Sequence, residues 1–410
     1  MKGKKWFLLT VTILISLHLK IAKVANFDIS LAFVLIPFWV FSTFQINSKQ
    51  HIQKELGYLA LIFLLPFVSL NITNWVEFFN TYAQFVISYF LVVRAFGKPL
   101  KVSRIVIDNT LYSFQKILLI VVLIQFFFVI ILGYRTFFNL FGEYQLYYQL
   151  DLEIAKYRMK GFYLEPSYLG FVCLNVYWTR LYLGKTFKLL NLNLFITLGI
   201  LFFVNSAFAY VSLSIIVYLE LLSLNYKNKA SSLILFVIFL FTFIFLIFFS
   251  NDLFLFFRLN EFSSGSDDIS SGFMRVTLPF KIVYKLIFED GYYLGLTFGQ
   301  FDSYVEKKMM GFAETKISNS FFLILGYFGL IGFIIYGSLI LNYIKTNSKI
   351  IKSFIILSFL NLNNSGAFMT LQYVFVAFLL PFLAIKYYEN KIINNNSSSQ
   401  RQKWSNSNLQ

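Results

Sequence analysis

The chain contains the run Ile117-Leu-Leu-Ile-Val-Val-Leu-Ile-Gln-Phe-Phe-Phe-Val-Ile-Ile-Leu132, in which Gln125 is the one polar residue. The hydrocarbon core of a bilayer is about 30 Å thick and takes roughly 20 apolar residues to cross as a helix. Similar runs recur throughout the 410 residues, of which 58% are hydrophobic and 13% charged, with a mean hydropathy of +0.69. A soluble domain is about half apolar and a quarter charged. The composition therefore predicts an integral membrane protein.

Apolar runs bounded by polar residues predict an all-α, polytopic membrane protein with about 12 transmembrane helices. The predicted spans are 5–19, 28–44, 56–72, 76–96, 111–132, 163–183, 187–204, 207–224, 231–250, 318–341, 350–363 and 366–386. Two connections are tight, at Asn205-Ser206 and around Asn361–Ser365. Two others, 133–162 and 251–317, are long loops.

The distribution of positive charge predicts the orientation. With both termini in the cytoplasm, 22 of the 35 Lys and Arg residues fall on the cytoplasmic side, and the four short external connections hold only Lys20 and Lys23. Short cytoplasmic loops are enriched in Lys and Arg, whereas long loops follow this rule poorly. The two long loops are therefore predicted to be external; an eleven-span alternative would place one terminus outside. The net charge of +16 is explained by orientation and does not require a nucleic-acid partner.

Composition also limits the chemistry. The one cysteine, Cys173, lies in an apolar run, and the two histidines, His18 and His51, are far apart in sequence. No Walker A or Gly-x-Gly-x-x-Gly motif occurs, so we expect no nucleotide cofactor and no metal. Residues 1–393 are predicted to form the transmembrane domain, and the polar stretch 394–410 a disordered cytoplasmic tail.

The end of the first long loop combines cations with a helix start. Arg158 and Lys160 precede Glu165 and Pro166. Proline suits the first turn of a helix because its missing N–H would have no partner there. The positive end of this helix, beside two cations, favours binding of an anion. The alternative is that Glu165 complements the helix dipole and the cations pair with carboxylates or lipid phosphates.

The second long loop contains an amphipathic pattern. Pro279 is predicted to open a helix that runs to about Asp290 and is preceded by Arg275. Lys281 and Lys285 would share one face of this helix, because residues four apart are neighbours on a helix surface. The alternative for the segment that follows is a loop lying on the membrane.

Two further signals lie beyond this helix. Gly295 and Gly299 predict a turn or a close backbone approach. Asn319 and Ser320 open the tenth span, and both residue types are favoured as helix N-caps. This span and the sixth would aim their positive ends at the same external face. A pyrophosphate there could be held by Arg158 and Arg275 as bidentate clamps.

At this point the chain resembles the O-antigen polymerase (Wzy-type) and O-antigen ligase superfamily of bacterial envelope glycosyltransferases. The resemblance rests on Arg158-x-x-Gly161-Phe162-x-x-Glu165-Pro166-Ser167, Arg275, Gly295-x-x-x-Gly299, Asn319-Ser320 and Gly326-Tyr-Phe-Gly329-Leu-Ile-Gly332. Loop placement and span count also fit, so it covers nearly the whole chain.

The resemblance implies a reaction at the outer side of the bacterial inner membrane. The substrate would be an oligosaccharide on undecaprenyl diphosphate, and the growing glycan would be transferred to the next lipid-linked repeat to make O-antigen, capsular polysaccharide or exopolysaccharide. It implies catalytic roles for Arg158 and Arg275 at the diphosphate. Glu165 is predicted to be catalytic, either as the general base or by fixing Arg158; Asp302 and Glu314 are weaker candidates for the base. Substrate binding is assigned to Lys160, Lys281, Lys285, Asn319 and Ser320.

Three other functions stay open at this stage. A ligase would transfer finished polymer to a lipid acceptor, but such ligases often carry a His near the start of the tenth span, where this chain reads Lys316-Ile-Ser-Asn-Ser. A lipid-linked oligosaccharide flippase would need a charged internal cavity, and this chain concentrates charge in its loops. A non-catalytic scaffold is the third. Expected partners are the lipid-linked oligosaccharide, membrane lipid and, by family, a chain-length regulator.

Overall fold

A computed structural model describes most of the chain. The described residues are 3–24, 27–45, 52–67, 72, 75–95, 98–132, 159–163, 165–183, 192–204, 206–224, 276–309, 317–342, 349–364 and 366–388. The ninth predicted span, most of the loop 133–162, about half of the loop 251–317 and the tail 394–410 lie outside them.

The described residues are mostly helical. The helices are α1 (Gly3–Ile15), α2 (Leu31–Thr43), α3 (Ile52–Leu64), α4 (Trp75–Ala95), α5 (Arg104–Phe126), α6 (Pro166–Leu183), α7 (Leu192–Val204), α8 (Ala207–Leu224), α9 (Leu278–Tyr284), α10 (Gln300–Lys308), α11 (Ser320–Asn342), α12 (Lys349–Asn364) and α13 (Leu371–Tyr388). A π-helical turn extends α5 over Phe127–Ile131, another extends α9 over Lys285–Glu289, and a third, Phe375–Leu379, lies within α13. A 3₁₀ turn, Leu65–Phe67, follows α3.

Within the described residues, four segments are long and apolar enough to cross a membrane: Trp75–Ala95, Arg104–Val129, Ser320–Ser338 and Leu371–Tyr388. The protein is therefore a helical membrane protein. The other helices that overlap predicted spans have 13 to 18 residues. The total of about twelve spans stays a prediction.

The connection between the first two helices contains two short strands that the sequence analysis did not predict. Strands β1 (Lys20–Val24) and β2 (Phe27–Ser30) pair antiparallel, with Lys20 opposite Ser30, Val24 opposite Phe27 and a bulge after Lys20. The helix at the first predicted span, 5–19, ends at Ile15, four residues before the predicted end. The β-branched residues of this connection favour strands, and the charge of Lys20 and Lys23 masks that signal in a hydropathy pattern.

Two helices form the centre of the bundle. α6 packs against α5, α7, α8, α12 and α13, and α13 also contacts α2 and α4. Of α13, 78% is buried inside the protein, against 39% of α4. Both α6 and α13 begin beside candidate site residues. The candidate site is therefore built on two helices that pack against several others.

The ends of α5 and α6 show that these helices run antiparallel. Near the start of α5, Asp108 accepts a hydrogen bond of 3.0 Å from the Arg180 Nε at the end of α6. The same guanidinium lies 4.6 Å from the Tyr112 ring centroid and also donates to Gln115. At the opposite end of α5, Gln125 contacts the segment that leads into α6.

Candidate active site

Residues 159–163, just before α6, are fixed against neighbouring helices. The Gln125 side chain donates to the Gly161 carbonyl and accepts from the Gly161 N–H, both at 2.9 Å. The Met159 N–H donates to the Phe203 carbonyl at 2.8 Å, and Met159 is buried. Gly161 has a φ of +58°, which a side chain would strain. The backbone that directly follows Arg158 in the sequence is thus held in one place.

Glu165 caps α6. Its backbone carbonyl accepts from the N–H groups of Tyr168 and Leu169, and its Oε2 accepts from the Ser167 hydroxyl at 3.0 Å. The helix begins at Pro166, so the prediction of a helix start here is confirmed. The Glu165 side chain is exposed at the positive end of the helix, where a carboxylate is favoured.

Lys160 is the one predicted cation of this loop within the described residues. It is half-buried, and burial lowers the pKa of its amine from 10.5. The cause is desolvation, which disfavours the charged form. Arg158, Arg275 and Glu314 lie outside the described residues, so their roles stay predictions.

His18 joins this site, although the sequence analysis gave it no role. Its ring centroid lies 4.2 Å from that of Tyr168 and 5.8 Å from that of Tyr163, both in edge-on geometry. The Tyr163 hydroxyl donates to the Leu14 carbonyl of α1 at 3.0 Å. About 145 residues separate His18 from Tyr163, and no local motif could have revealed this contact.

The predicted amphipathic helix of the second loop is confirmed as α9. Pro279 lies in its first turn, and the following π-helical turn ends where the Asp290 N–H donates to the Lys285 carbonyl. Lys281 is exposed, and Lys285 Nζ lies 3.8 Å from Glu289 Oε2. Both predicted substrate-binding lysines therefore lie on the open side of this helix.

Residues 291–299, the glycine-rich segment that follows α9, dock into a break in α11. Gly329 has φ +62° and ψ −165°, which interrupts the helix. The N–H of Leu296 donates to the Gly326 carbonyl at 2.9 Å, and the N–H of Thr297 donates to the Tyr327 carbonyl at 3.0 Å. A Cβ on Gly295 would lie 2.6 Å from the Gly329 nitrogen. The predicted close backbone approach is confirmed, and the helix at the predicted span 318–341 is interrupted at Gly329, which the sequence analysis did not predict.

Of the two weaker candidates for the general base, Asp302 lies within the described residues and Glu314 does not. The Asp302 carboxylate accepts from the Tyr327 hydroxyl at 2.6 Å and from the Gly299 N–H at 3.2 Å, where it caps α10. These two bonds fix the carboxylate within the protein. Sequence analysis did not predict α10 as a helix.

Asn319 and Ser320 are buried at the start of α11. The Asn319 Oδ1 accepts from the Phe321 N–H at 3.0 Å, and its Nδ2 donates to Asn363 at 3.3 Å. The Ser320 Oγ accepts from the Phe368 N–H at 3.2 Å. Asn319 therefore caps the helix as predicted. The Asn319 side chain connects α11 to the end of α12, and the Ser320 side chain connects α11 to the segment before α13.

The starts of α6, α11 and α13 meet. The rings of Phe171 in α6 and Tyr373 in α13 stack with centroids 5.3 Å apart. A Cβ on Gly366, ahead of α13, would lie 2.9 Å from the Ile317 carbonyl ahead of α11. The helices that follow the two long loops thus converge on one part of the bundle. Among the described residues, no three His, Cys, Asp or Glu side chains are grouped to hold a metal ion.

Comparison with known proteins places the chain in a family. No curated protein matches the chain in a sequence search. The profile of the family described as WcaD colanic acid polymerase matches residues 6–387, which include both long loops and every predicted site residue. The chain belongs to the WcaD colanic acid polymerase family.

Proposed function

We propose that this protein polymerises undecaprenyl-diphosphate-linked oligosaccharide repeats at the outer face of the inner membrane. The observation that carries the proposal is the family match over 6–387, which makes the chain a glycosyltransferase-type membrane enzyme of polysaccharide synthesis. The match favours a polymerase over the ligase and flippase alternatives. The product is an O-antigen, capsular or exopolysaccharide chain.

The reaction exchanges one bond for another. An acceptor sugar hydroxyl attacks the anomeric carbon of the growing chain, the bond from that carbon to the diphosphate oxygen breaks, and the lipid diphosphate leaves. The hydroxyl proton passes to a base. Negative charge develops on the departing oxygen, so prepositioned cations lower the barrier. Arg158 and Arg275 supply these cations in the proposed mechanism, and Lys160, Lys281 and Lys285 contribute to holding the anionic substrate.

The positions of the described residues support these roles. Residues 159–163 are anchored to α5 and α7, which would hold a neighbouring arginine without a large ordering cost. The exposed Glu165 carboxylate at the start of α6 is either the base or the support of Arg158. Asn319 and Ser320 are engaged within the protein, so we assign them to positioning the start of α11.

The test compares arginine variants at matched membrane abundance. Arg158→Ala and Arg275→Ala should abolish polymer, and Arg→Lys at either position should also reduce it strongly, because lysine cannot form a bidentate contact. Arg104→Ala is the control, since Arg104 begins α5 at the end opposite Gln125, about 30 Å away at 1.5 Å per residue. Full-length polymer from either alanine variant would remove the assignment.

A further inference from the structure

The exposed half of the α9 segment is divided lengthwise into two rows. One row is apolar and largely aromatic: Val276, Phe280, Tyr284 and Phe288 are 43%, 56%, 48% and 57% exposed and are spaced four residues apart. The other row is charged and follows one position later, with Lys281, Lys285 and Glu289. The three rings of the first row pack against one another at a tilt, with centroids 6.0 Å apart for Phe280 and Tyr284 and 5.1 Å apart for Tyr284 and Phe288.

The opposite half of this segment is buried against the bundle. The buried side chains are Leu278, Pro279, Ile282, Val283, Leu286 and Ile287. α9 packs on α11, and Phe280 contacts Phe322 of that helix with ring centroids 6.4 Å apart. The aromatic row therefore lies next to α11, a helix that is apolar enough to cross the membrane.

We propose that α9 lies in the interface of the bilayer. Its aromatic row would face the acyl chains, and its charged row, which carries Lys281 and Lys285, would face the phospholipid phosphates. Such a helix needs three kinds of face: one for the protein, one for hydrocarbon and one for the charged headgroups. Aromatic side chains favour this depth, and cationic amphipathic helices bind there through buried apolar area and attraction to anionic lipid. α9 presents all three faces.

Size and charge favour lipid over a protein partner. Each aromatic side chain can bury roughly 150–250 Å², and about half of each is exposed, so the row offers a few hundred Å². A stable protein interface buries about 800 Å² on each partner. The adjacent Lys281 and Lys285 complement the charge of phospholipid phosphates, which lie in the interface of the bilayer.

The proposal has a consequence for the active site. Arg275 directly precedes Val276 in the sequence. An interfacial α9 would set the depth of this part of the loop at the level of the phospholipid phosphates. A diphosphate carried on a membrane lipid occupies the same level.

The test measures lipid exposure along both rows in the full-length protein. Single cysteines replace Tyr284 and Phe288 in one row and Lys281 and Glu289 in the other, and each carries a spin label. The native Cys173 is fully buried, so the unsubstituted protein is the labelling control. The protein is placed in vesicles of phosphatidylethanolamine and phosphatidylglycerol. Collision rates are compared for oxygen, which partitions into lipid, and for a water-soluble nickel chelate.

The expected oxygen-to-nickel ratio is several-fold higher for Tyr284→Cys and Phe288→Cys than for Lys281→Cys and Glu289→Cys. Equal ratios, or full nickel access to both rows, would overturn the proposal and indicate that the aromatic row faces water, glycan or protein. Phe288→Trp gives a second measurement that keeps the aromatic surface. Brominated lipids should quench its added fluorescence, and a lack of quenching would also overturn the proposal.

Discussion

Gly291 and Gly295 have nearly the same positive φ angle but different surroundings. Their φ angles are +77° and +76°. A Cβ on Gly291 would meet nothing within 4 Å, whereas a Cβ on Gly295 would collide with the backbone of Gly329 and Gly326 in α11. The pair therefore separates the cost of a left-handed conformation from the cost of a lost close approach.

We predict that Gly295→Ala lowers the melting temperature of the purified protein more than Gly291→Ala does. Both variants strain the backbone by roughly 1–2 kcal/mol. Gly295→Ala must also push the glycine-rich segment away from α11, and such overpacking costs about 1–3 kcal/mol. Thermal unfolding in one detergent compares the two variants directly. Equal melting temperatures would show that the docking of this segment into α11 contributes little to stability.

For single residues, sequence analysis identified positions whose local conformation is special and missed contacts between residues that are far apart in the chain. Gly295 could be recognised because glycine spacing indicates a close approach. Its contact Gly329 could not be assigned, because a glycine in an apolar run is compatible with an unbroken helix. His18 was missed for a related reason: its contacts with Tyr163 and Tyr168 arise only when α1 and α6 pack.

Helices α6 and α12 are joined by a pair of buried amides. The Asn175 Nδ2 donates to the Asn361 Oδ1 at 3.0 Å, and the Asn361 Nδ2 donates to the Asn175 Oδ1 at 2.9 Å. Both side chains are buried. Polar residues of this kind hold helices together inside a bilayer.

We predict that Asn175→Leu and Asn361→Leu each destabilise the protein more than the double variant does. Each single change leaves one buried amide without its partner, at a cost of about 1–3 kcal/mol, whereas replacement of both groups by apolar ones is nearly neutral. The measurement is a double-mutant cycle on thermal stability. Additive effects would contradict a direct coupling between the two asparagines.

At the element scale, hydropathy located helices well where each is straight and apolar. A helix, Trp75–Ala95, lies at the predicted span 76–96, and another, Ala207–Leu224, lies at the predicted span 207–224. Hydropathy failed where the backbone changes within an apolar or mixed stretch. The break at Gly329 and the β1–β2 hairpin depend on hydrogen bonds and pairing that average hydropathy does not register.

In the whole molecule, charge and packing together predict which end of the helix bundle lies on which side of the membrane. The starts of α6 and α11 meet beside α13, whereas Arg180 at the end of α6 lies with the start of α5. The distribution of Lys and Arg predicts that the end with the starts of α6 and α11 is external. A reporter inserted between residues 260 and 270 should therefore read as external. A cytoplasmic signal would reverse the orientation and remove the proposed site from the face where it must act.

The most direct test of polymerase function is a glycan length ladder from a strain that lacks this gene, with and without complementation by the wild-type protein. A polymerase predicts single repeat units on the final acceptor in the deletion strain, and a full ladder after complementation. Long chains that persist on undecaprenyl diphosphate without reaching the acceptor would contradict polymerisation and indicate a ligase. An unchanged ladder in the deletion strain would contradict any role in chain growth.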